Sequence, residues 1–152
     1  MPRVRVPVPM RWSDVDAYGH VNNAAMLTLL EEARIATFWA DGSEGPAVGT
    51  KVLTAGPTAT SFTLVARQEI EYLAPLDYSQ EPVPVDLWVG RIGGASLEVC
   101  YEVYSPAGAL CAKAATSIVM VDAATGRPRR LADSERGALE ALLEAPIEFR
   151  RR

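Results

Sequence analysis

The chain has one histidine, two cysteines and three phenylalanines in 152 residues, and no apolar run long enough to cross a membrane. Each scarcity excludes something. One histidine and two distant cysteines, Cys100 and Cys111, without a CxxC pair make a zinc site improbable, so no metal is expected. The two thiols fall in strand-like runs and read as buried free cysteines of a reducing compartment. The opening "MPRVRVPVPM" holds no apolar signal-peptide segment, so a cytoplasmic location is expected. A formal charge of −4 argues against a nucleic-acid partner, and the lack of a transmembrane run argues against a membrane. No G-x-S-x-G motif or Cys/His arrangement is present, which disfavours a serine or cysteine nucleophile.

What is present is globular. Apolar residues make up 49% and charged ones 22%, enough to build a core in one domain spanning 1–152. "VRVPVPMRW" is extended, because Pro7 and Pro9 forbid a helix and favour a strand edge. A helix is expected from about Ala24 to Ala40, capped by Asn22 or Asn23 and ended at Asp41-Gly42. Met26, Leu27, Leu30, Ala33, Ala36 and Thr37 give it helical spacing, and Leu29, Ile35, Phe38 and Trp39 widen the apolar face until more than one side must be buried. A Gly/Pro-rich connection follows over 43–58, with a short strand around Lys51–Thr54 and room to adapt to a ligand.

The period then changes to two. Phe62, Leu64, Ala66, Ile70 and Tyr72 share a face, and three more strands follow, joined by turns at 93–94 and 105–108, as an antiparallel meander over 60–122. A second helix is expected over about 133–145, capped by Asp133 or Ser134 with Glu135 in its first turn, and Arg150–Arg152 as a solvated tail. One sheet and one long apolar helix bury each other most simply if the sheet wraps the helix, an α+β arrangement. The open sheet edges invite a second copy, so a homo-oligomer is expected.

The densest chemistry lies in "RWSDVDAYGHVNNA", residues 11–24, just before the long helix. Unpaired N–H groups at a helix N-terminus carry partial positive charge and can hold a developing oxyanion. A nearby carboxylate can activate water or attack directly. Gly19 permits close backbone approach, and the dipole favours a neutral His20. The pattern fits hydrolysis at an acyl carbonyl.

These residues carry a resemblance. "RWSDVDAYGHVNNAAMLTLLEEARIATF" resembles the opening signature of hotdog-fold thioesterases of the 4-hydroxybenzoyl-CoA thioesterase type. Its later parts are "EIEYLAPL" at 69–76, "RIGGASLEVCYEVY" at 91–104, and "AAT" then "VMVD" within 114–122. The resemblance covers about 3–131 and implies an antiparallel sheet around a long helix, with an acyl-CoA or acyl-carrier-protein thioester as substrate. It makes Asp16 the catalytic carboxylate, as general base or nucleophile, with His20 in support and Asp14 structural. In the similar plant acyl-carrier-protein thioesterases an Asn precedes the His by two. Here that position holds Tyr18, which is expected to line the acyl pocket or contact the carbonyl instead. Gly19, Val21, Asn22 and Asn23 complete the substrate-binding set, with backbone N–H groups around His20 to Asn23 expected to polarise the carbonyl. Another branch of the fold uses a helix-borne Glu, for which Glu31 and Glu32 are the candidates.

Coenzyme A enters only as part of the substrate, with no separate cofactor. Its phosphates call for cations: Arg91, with Gly93 and Ser96 beside it, is the first candidate, and Arg67 and Lys113 are weaker ones. The resemblance implies a dimer or tetramer in which such residues serve a partner's site across the interface. Two rival readings of the same loop are a hotdog enoyl-CoA hydratase or dehydratase, and a non-catalytic acyl-CoA-binding module.

Overall fold

A computed structural model describes residues 2–39, 53 and 59–150. The elements in order are β1 (Val4–Val8), a 3-10 turn (Trp12–Asp14), α1 (Asn23–Phe38), β2 (Ser61–Tyr72), β3 (Val83–Ile92), β4 (Ser96–Tyr104), β5 (Leu110–Asp122) and α2 (Asp133–Glu140). The strands form one five-stranded sheet in the order β1-β3-β4-β5-β2, with every neighbouring pair antiparallel.

That order corrects the expected meander. β3, β4 and β5 are successive hairpins, but β2 lies beyond β5 on one edge while β1 forms the other. The reason is the connection over 73–82, which does not close a hairpin with β3. It crosses beneath the loop before α1, where Val21 N–H donates to Leu76 O at 2.8 Å and Tyr78 N–H to Gly19 O at 3.2 Å. β1 holds Pro7 opposite Pro84, so two residues without an N–H share a rung beside the sheet edge. In β2 the register slips between Val65 and Arg67, so Ala66 does not keep the regular alternation expected with Phe62 and Leu64.

The core lies between α1 and one face of the sheet. Met26, Leu29, Leu30, Ala33 and Phe38 meet Val85, Leu87, Val99, Tyr101, Ala114 and Ile118, all buried. Burying each large side chain contributes about 1.5–3 kcal/mol. The buried face of α1 is wide, as expected, but Ala36 and Ile35 are exposed and Arg34 is buried in their stead. α1 begins one residue before the expected start, capped by Asn22, and ends at Phe38 with Trp39 as its C-cap. The expected stop at Asp41-Gly42 and the 43–58 connection lie outside the described residues, apart from Leu53, which bridges Trp39.

The C-terminal end differs from expectation. α2 stops at Glu140, and its N-cap is Ala132, whose N–H is held by the Glu135 carboxylate at 2.7 Å. β1 covers β3 only as far as Leu87, so the edge of β3 stays open at Val89. The chain fills that edge: Val89 N–H donates to Leu142 O and its carbonyl accepts from Glu144 N–H, both at 2.9 Å. The strap then crosses the outer face of the sheet. Trp88 Nε1 donates to Ala145 O at 2.9 Å, Lys113 Nζ to Glu148 O at 3.4 Å, and Arg150 N–H to the Glu71 carboxylate at 3.0 Å. Arg150 is therefore tied down, and Arg151 and Arg152 lie outside the described residues. Arg3 pins the strap from the other terminus, pairing with Glu144 at 3.0 Å and with Glu102.

Both cysteines are free and buried. Burial pushes the Cys100 thiol up to about 11 and raises that of Cys111. Among the described residues no helix is long and apolar enough to cross a membrane.

Candidate active site

The loop before α1 is a tight hairpin tied at its base. Asp14 is buried and accepts from Arg11 N–H at 2.9 Å and from the Arg11 guanidinium at 2.8 Å, while its own carbonyl accepts from Asn22 N–H at 2.7 Å. The Arg11 guanidinium hydrogen bond holds the Asp14 carboxyl below the usual carboxylate range. Inside that clamp Val15 bridges Val21, Asp16 N–H donates to His20 O at 2.8 Å, and Gly19 turns the chain at φ 78°. A residue with a Cβ is strained at that φ.

Asp16 Oδ1 closes the turn, accepting from Tyr18 N–H at 2.8 Å and His20 N–H at 3.2 Å. These bonds fix the carboxylate, and Oδ2 has no hydrogen-bond partner among the described residues. Asp16 lines an open cleft of about 430 Å³ with His20, Val21, Asn23, Met26, Tyr72 and residues 73–76. The His20 imidazole pairs with Asp77, Nε2 to Oδ1 at 3.3 Å.

The helix N-terminus is more occupied than the sequence suggests. The Asn22 side chain accepts from Ala24 N–H at 2.8 Å and from Ala25 N–H at 3.4 Å. The N–H groups of His20, Val21 and Asn22 donate to Asp16, Leu76 and Asp14. The expected row of donors from His20 to Asn23 thus reduces to Asn23, whose N–H has no acceptor among the described residues. Its carbonyl accepts from the Tyr72 hydroxyl at 2.6 Å.

Of the residues singled out from sequence, Asp16, His20, Val21 and Asn23 come together in one cleft, Asn22 caps the helix beside them, and Gly19 shapes the turn. Tyr18 is 84% exposed and does not line the cleft. Glu31 and Glu32 are exposed on α1, away from it. Arg91, Gly93 and Ser96 line a separate pocket of about 350 Å³, and Arg67 and Arg91 share another of about 180 Å³ with Glu69, Glu98 and the strap residue Phe149. Both include Ser117, on the sheet face opposite its neighbours Thr116 and Ile118, which face α1. Within one chain these arginines are therefore apart from Asp16. Tyr72 and Asp77 were not among the sequence candidates. Tyr72 reads only as a strand residue and Asp77 as a loop acid, and the crossing of 73–82 under the α1 loop brings both to the site. Among the described residues no group of three or more His, Cys, Asp and Glu is arranged to hold a metal ion.

A long helix backed by an antiparallel sheet, with an acidic hairpin at the helix N-terminus, defines the hotdog class of α+β proteins. Residues 10–146 match the thioesterase-like superfamily. The chain belongs to that superfamily and is an enzyme of the thioesterase class. It is similar to a thioesterase from Thermus thermophilus whose structure holds coenzyme A and Zn, with 30% identity, a TM-score of 0.69, and coverage of 93% of this chain and 94% of that one. It also resembles YsmA, an uncharacterised protein of Bacillus subtilis, at 26% identity over 132 residues, 87% of this chain and 82% of that protein. A DHNA-CoA thioesterase from Staphylococcus aureus shares the fold, with a TM-score of 0.72 and 19% identity over 91% of this chain and 87% of that one.

Proposed function

We propose that the cleft at the N-terminus of α1 hydrolyses acyl-CoA or acyl-carrier-protein thioesters to the free acid and thiol. The observation that carries this reading is that one carboxylate oxygen, Asp16 Oδ2, and one helix-terminal donor, Asn23 N–H, both without a hydrogen-bond partner among the described residues, belong to residues of the same cleft. The thioester carbonyl oxygen takes the Asn23 N–H, where the helix dipole supports the negative charge that develops there. In the general-base route Asp16 accepts a proton from water as the water oxygen bonds to the carbonyl carbon. The tetrahedral intermediate then collapses, the C–S bond breaks, and the thiolate leaves and takes up a proton. In the nucleophilic route Asp16 bonds to the carbon, expels the thiolate, and the resulting anhydride is hydrolysed by water. His20, braced by Asp77, positions the loop and the substrate.

Coenzyme A is the expected carrier, since a relative of 30% identity is described as complexed with it. Its phosphates would fall to Arg91 and Arg67, with Gly93 and Ser96 beside Arg91, and these serve the site of a second copy. β2 is an open edge that exposes Phe62, Leu64, Val65 and Tyr72, and antiparallel pairing of two β2 strands would cover it. The two buried free thiols fit a reducing cytoplasm.

The test is thiol release from a panel of acyl-CoA and acyl-carrier-protein thioesters of varied chain length and aromatic content. Saturable turnover of at least one member is expected, and failure to release thiol from any of them overturns the reading.

A further inference from the structure

The strap of residues 144–150 crosses the outer face of the sheet in the order of its strands. Trp88 of β3 donates its Nε1 to Ala145 O at 2.9 Å. Ile147 N–H reaches the Cys100 thiol of β4. Lys113 of β5 donates to Glu148 O at 3.4 Å, and the Glu71 carboxylate of β2 accepts from Arg150 N–H at 3.0 Å. Four of the five strands thus hold the strap by one tie each. β3 also makes room for it. Gly90 lies in the interior of that strand, where glycine weakens a sheet, and its φ is not positive, so backbone conformation does not call for it. A Cβ there would stand 2.7 Å from Cys100 Sγ and 3.1 Å from Pro146 Cα. The close approach of the strap is what requires glycine.

The strap is a cover and not part of the main core. None of its residues belongs to the cluster between α1 and the sheet, and Ile147 and Phe149 are only half-buried. Beneath it Trp88 and Cys100 are 2% and 0% exposed. Without it, Trp88, Gly90, Cys100 and Ala115 would form an apolar strip across the sheet. The charges around that strip come in opposite pairs: Arg3 with Glu102, Arg67 with Glu69, Arg91 opposite Glu98, and Lys113 opposite Glu71. A face that is apolar in the middle and balanced in sign around it suits a second copy of itself about a twofold axis. Nucleic acid or an anionic membrane surface calls for a face of one sign. Two sheets pack face to face about 10 Å apart, which leaves no room for a strap on either.

We infer that residues 144–150 cover a self-docking surface: the strap occupies the sheet face that would otherwise take a second copy, so that assembly stops at the pair formed through β2. The cover does not depend on thioesterase chemistry.

The experiment uses the full chain. Ile147→Asp with Phe149→Lys places two charges on the strap where burying them against the sheet is costly, keeps the net charge, and leaves the sheet and the α1 core unchanged. Mass is measured by sedimentation velocity over a broad concentration range. The labelling rate of Cys100 by a thiol reagent is followed in a Cys111→Ser background. The wild type is expected to keep the mass of a pair at every concentration and to label slowly. The double variant labels faster when dilute, and its mass rises about twofold with concentration, as isologous docking of two pairs requires. Its labelling slows in step, because the second copy now covers Cys100. A double variant that keeps the wild-type mass at every concentration overturns the proposal, whether Cys100 is reactive or not. A wild type that itself gains mass beyond the pair overturns it, and so does a gain in the variant that leaves Cys100 unprotected. A monomeric wild type beside a double variant that pairs with Cys100 protected supports the cover and removes the β2 pairing instead.

Discussion

Asn22 stands where architecture and chemistry meet, and two substitutions separate them. Its side-chain oxygen receives Ala24 N–H and Ala25 N–H at the start of α1. Asn22→Ala removes both bonds, which costs about 1–2 kcal/mol for a lost N-cap. For a chain of this size that is a fall in Tm of about 2–8 °C. Asn22→Asp keeps the cap, because aspartate caps as well as asparagine and its charge suits the dipole, so Tm holds within a degree or two. The same charge would sit close to the oxyanion proposed at Asn23 N–H. At about 7 Å and an effective dielectric near 20 it opposes that oxyanion by roughly 2 kcal/mol. That is about 30-fold in rate, reduced to about tenfold by screening at physiological salt. The assay is thiol release under saturating acyl-CoA, with the melting curve of each variant beside it. The expected pair is a destabilised Asn22→Ala and a stable but slow Asn22→Asp. An Asn22→Asp enzyme with wild-type kcat refutes the placement of the oxyanion at the helix N-terminus, and an Asn22→Ala melting curve that superimposes on the wild type refutes the capping argument.

Three further outcomes follow from the geometry. Asp14 and Glu135 are held below the ordinary carboxylate range by Arg11 and Arg129, so each adds stability at neutral pH that is lost as pH falls through the depressed value. Asp14→Asn should therefore lower the urea midpoint at neutral pH and flatten its fall in acid. Gly90→Ala places a Cβ 2.7 Å from Cys100 Sγ and 3.1 Å from Pro146 Cα, and should destabilise the protein by about 1–3 kcal/mol, read by urea denaturation. Asp77→Asn should leave Tm unchanged and reduce kcat/KM by no more than about fivefold, because an exposed pair with His20 contributes under about 1 kcal/mol.

The local features were legible in the sequence. The start of α1 follows from asparagine capping, its buried face from apolar spacing except at Ile35 and Ala36, and the gathering of Asp16, His20 and Asn23 from a hairpin that needs only Gly19 and a few backbone bonds. What escaped reading depends on pairings distant along the chain. β2 sits outside β5, and no periodicity within a strand encodes which neighbour it takes. That placement carries the 73–82 connection beneath the loop and delivers Tyr72 and Asp77 to the cleft. The strap after α2 exists because β1 is too short to cover β3 at Val89, a property of two strands far from the strap itself. In sequence Arg34 stands only as part of the "EEAR" stretch of the signature, and the packed fold turns it inward to Tyr101 and Thr116.

The most direct test of the account is the rate of thiol release by Asp16→Asn in single turnover, with folding monitored by thermal melting. Asparagine keeps an oxygen for the Tyr18 and His20 N–H groups and puts an amide nitrogen, which is not basic, where Oδ2 stood. The account predicts an unchanged Tm and a loss of about 100- to 10,000-fold in rate, the range for removal of a general base. A folded Asp16→Asn protein that releases thiol within about threefold of the wild-type rate, less than 1 kcal/mol of barrier, contradicts it.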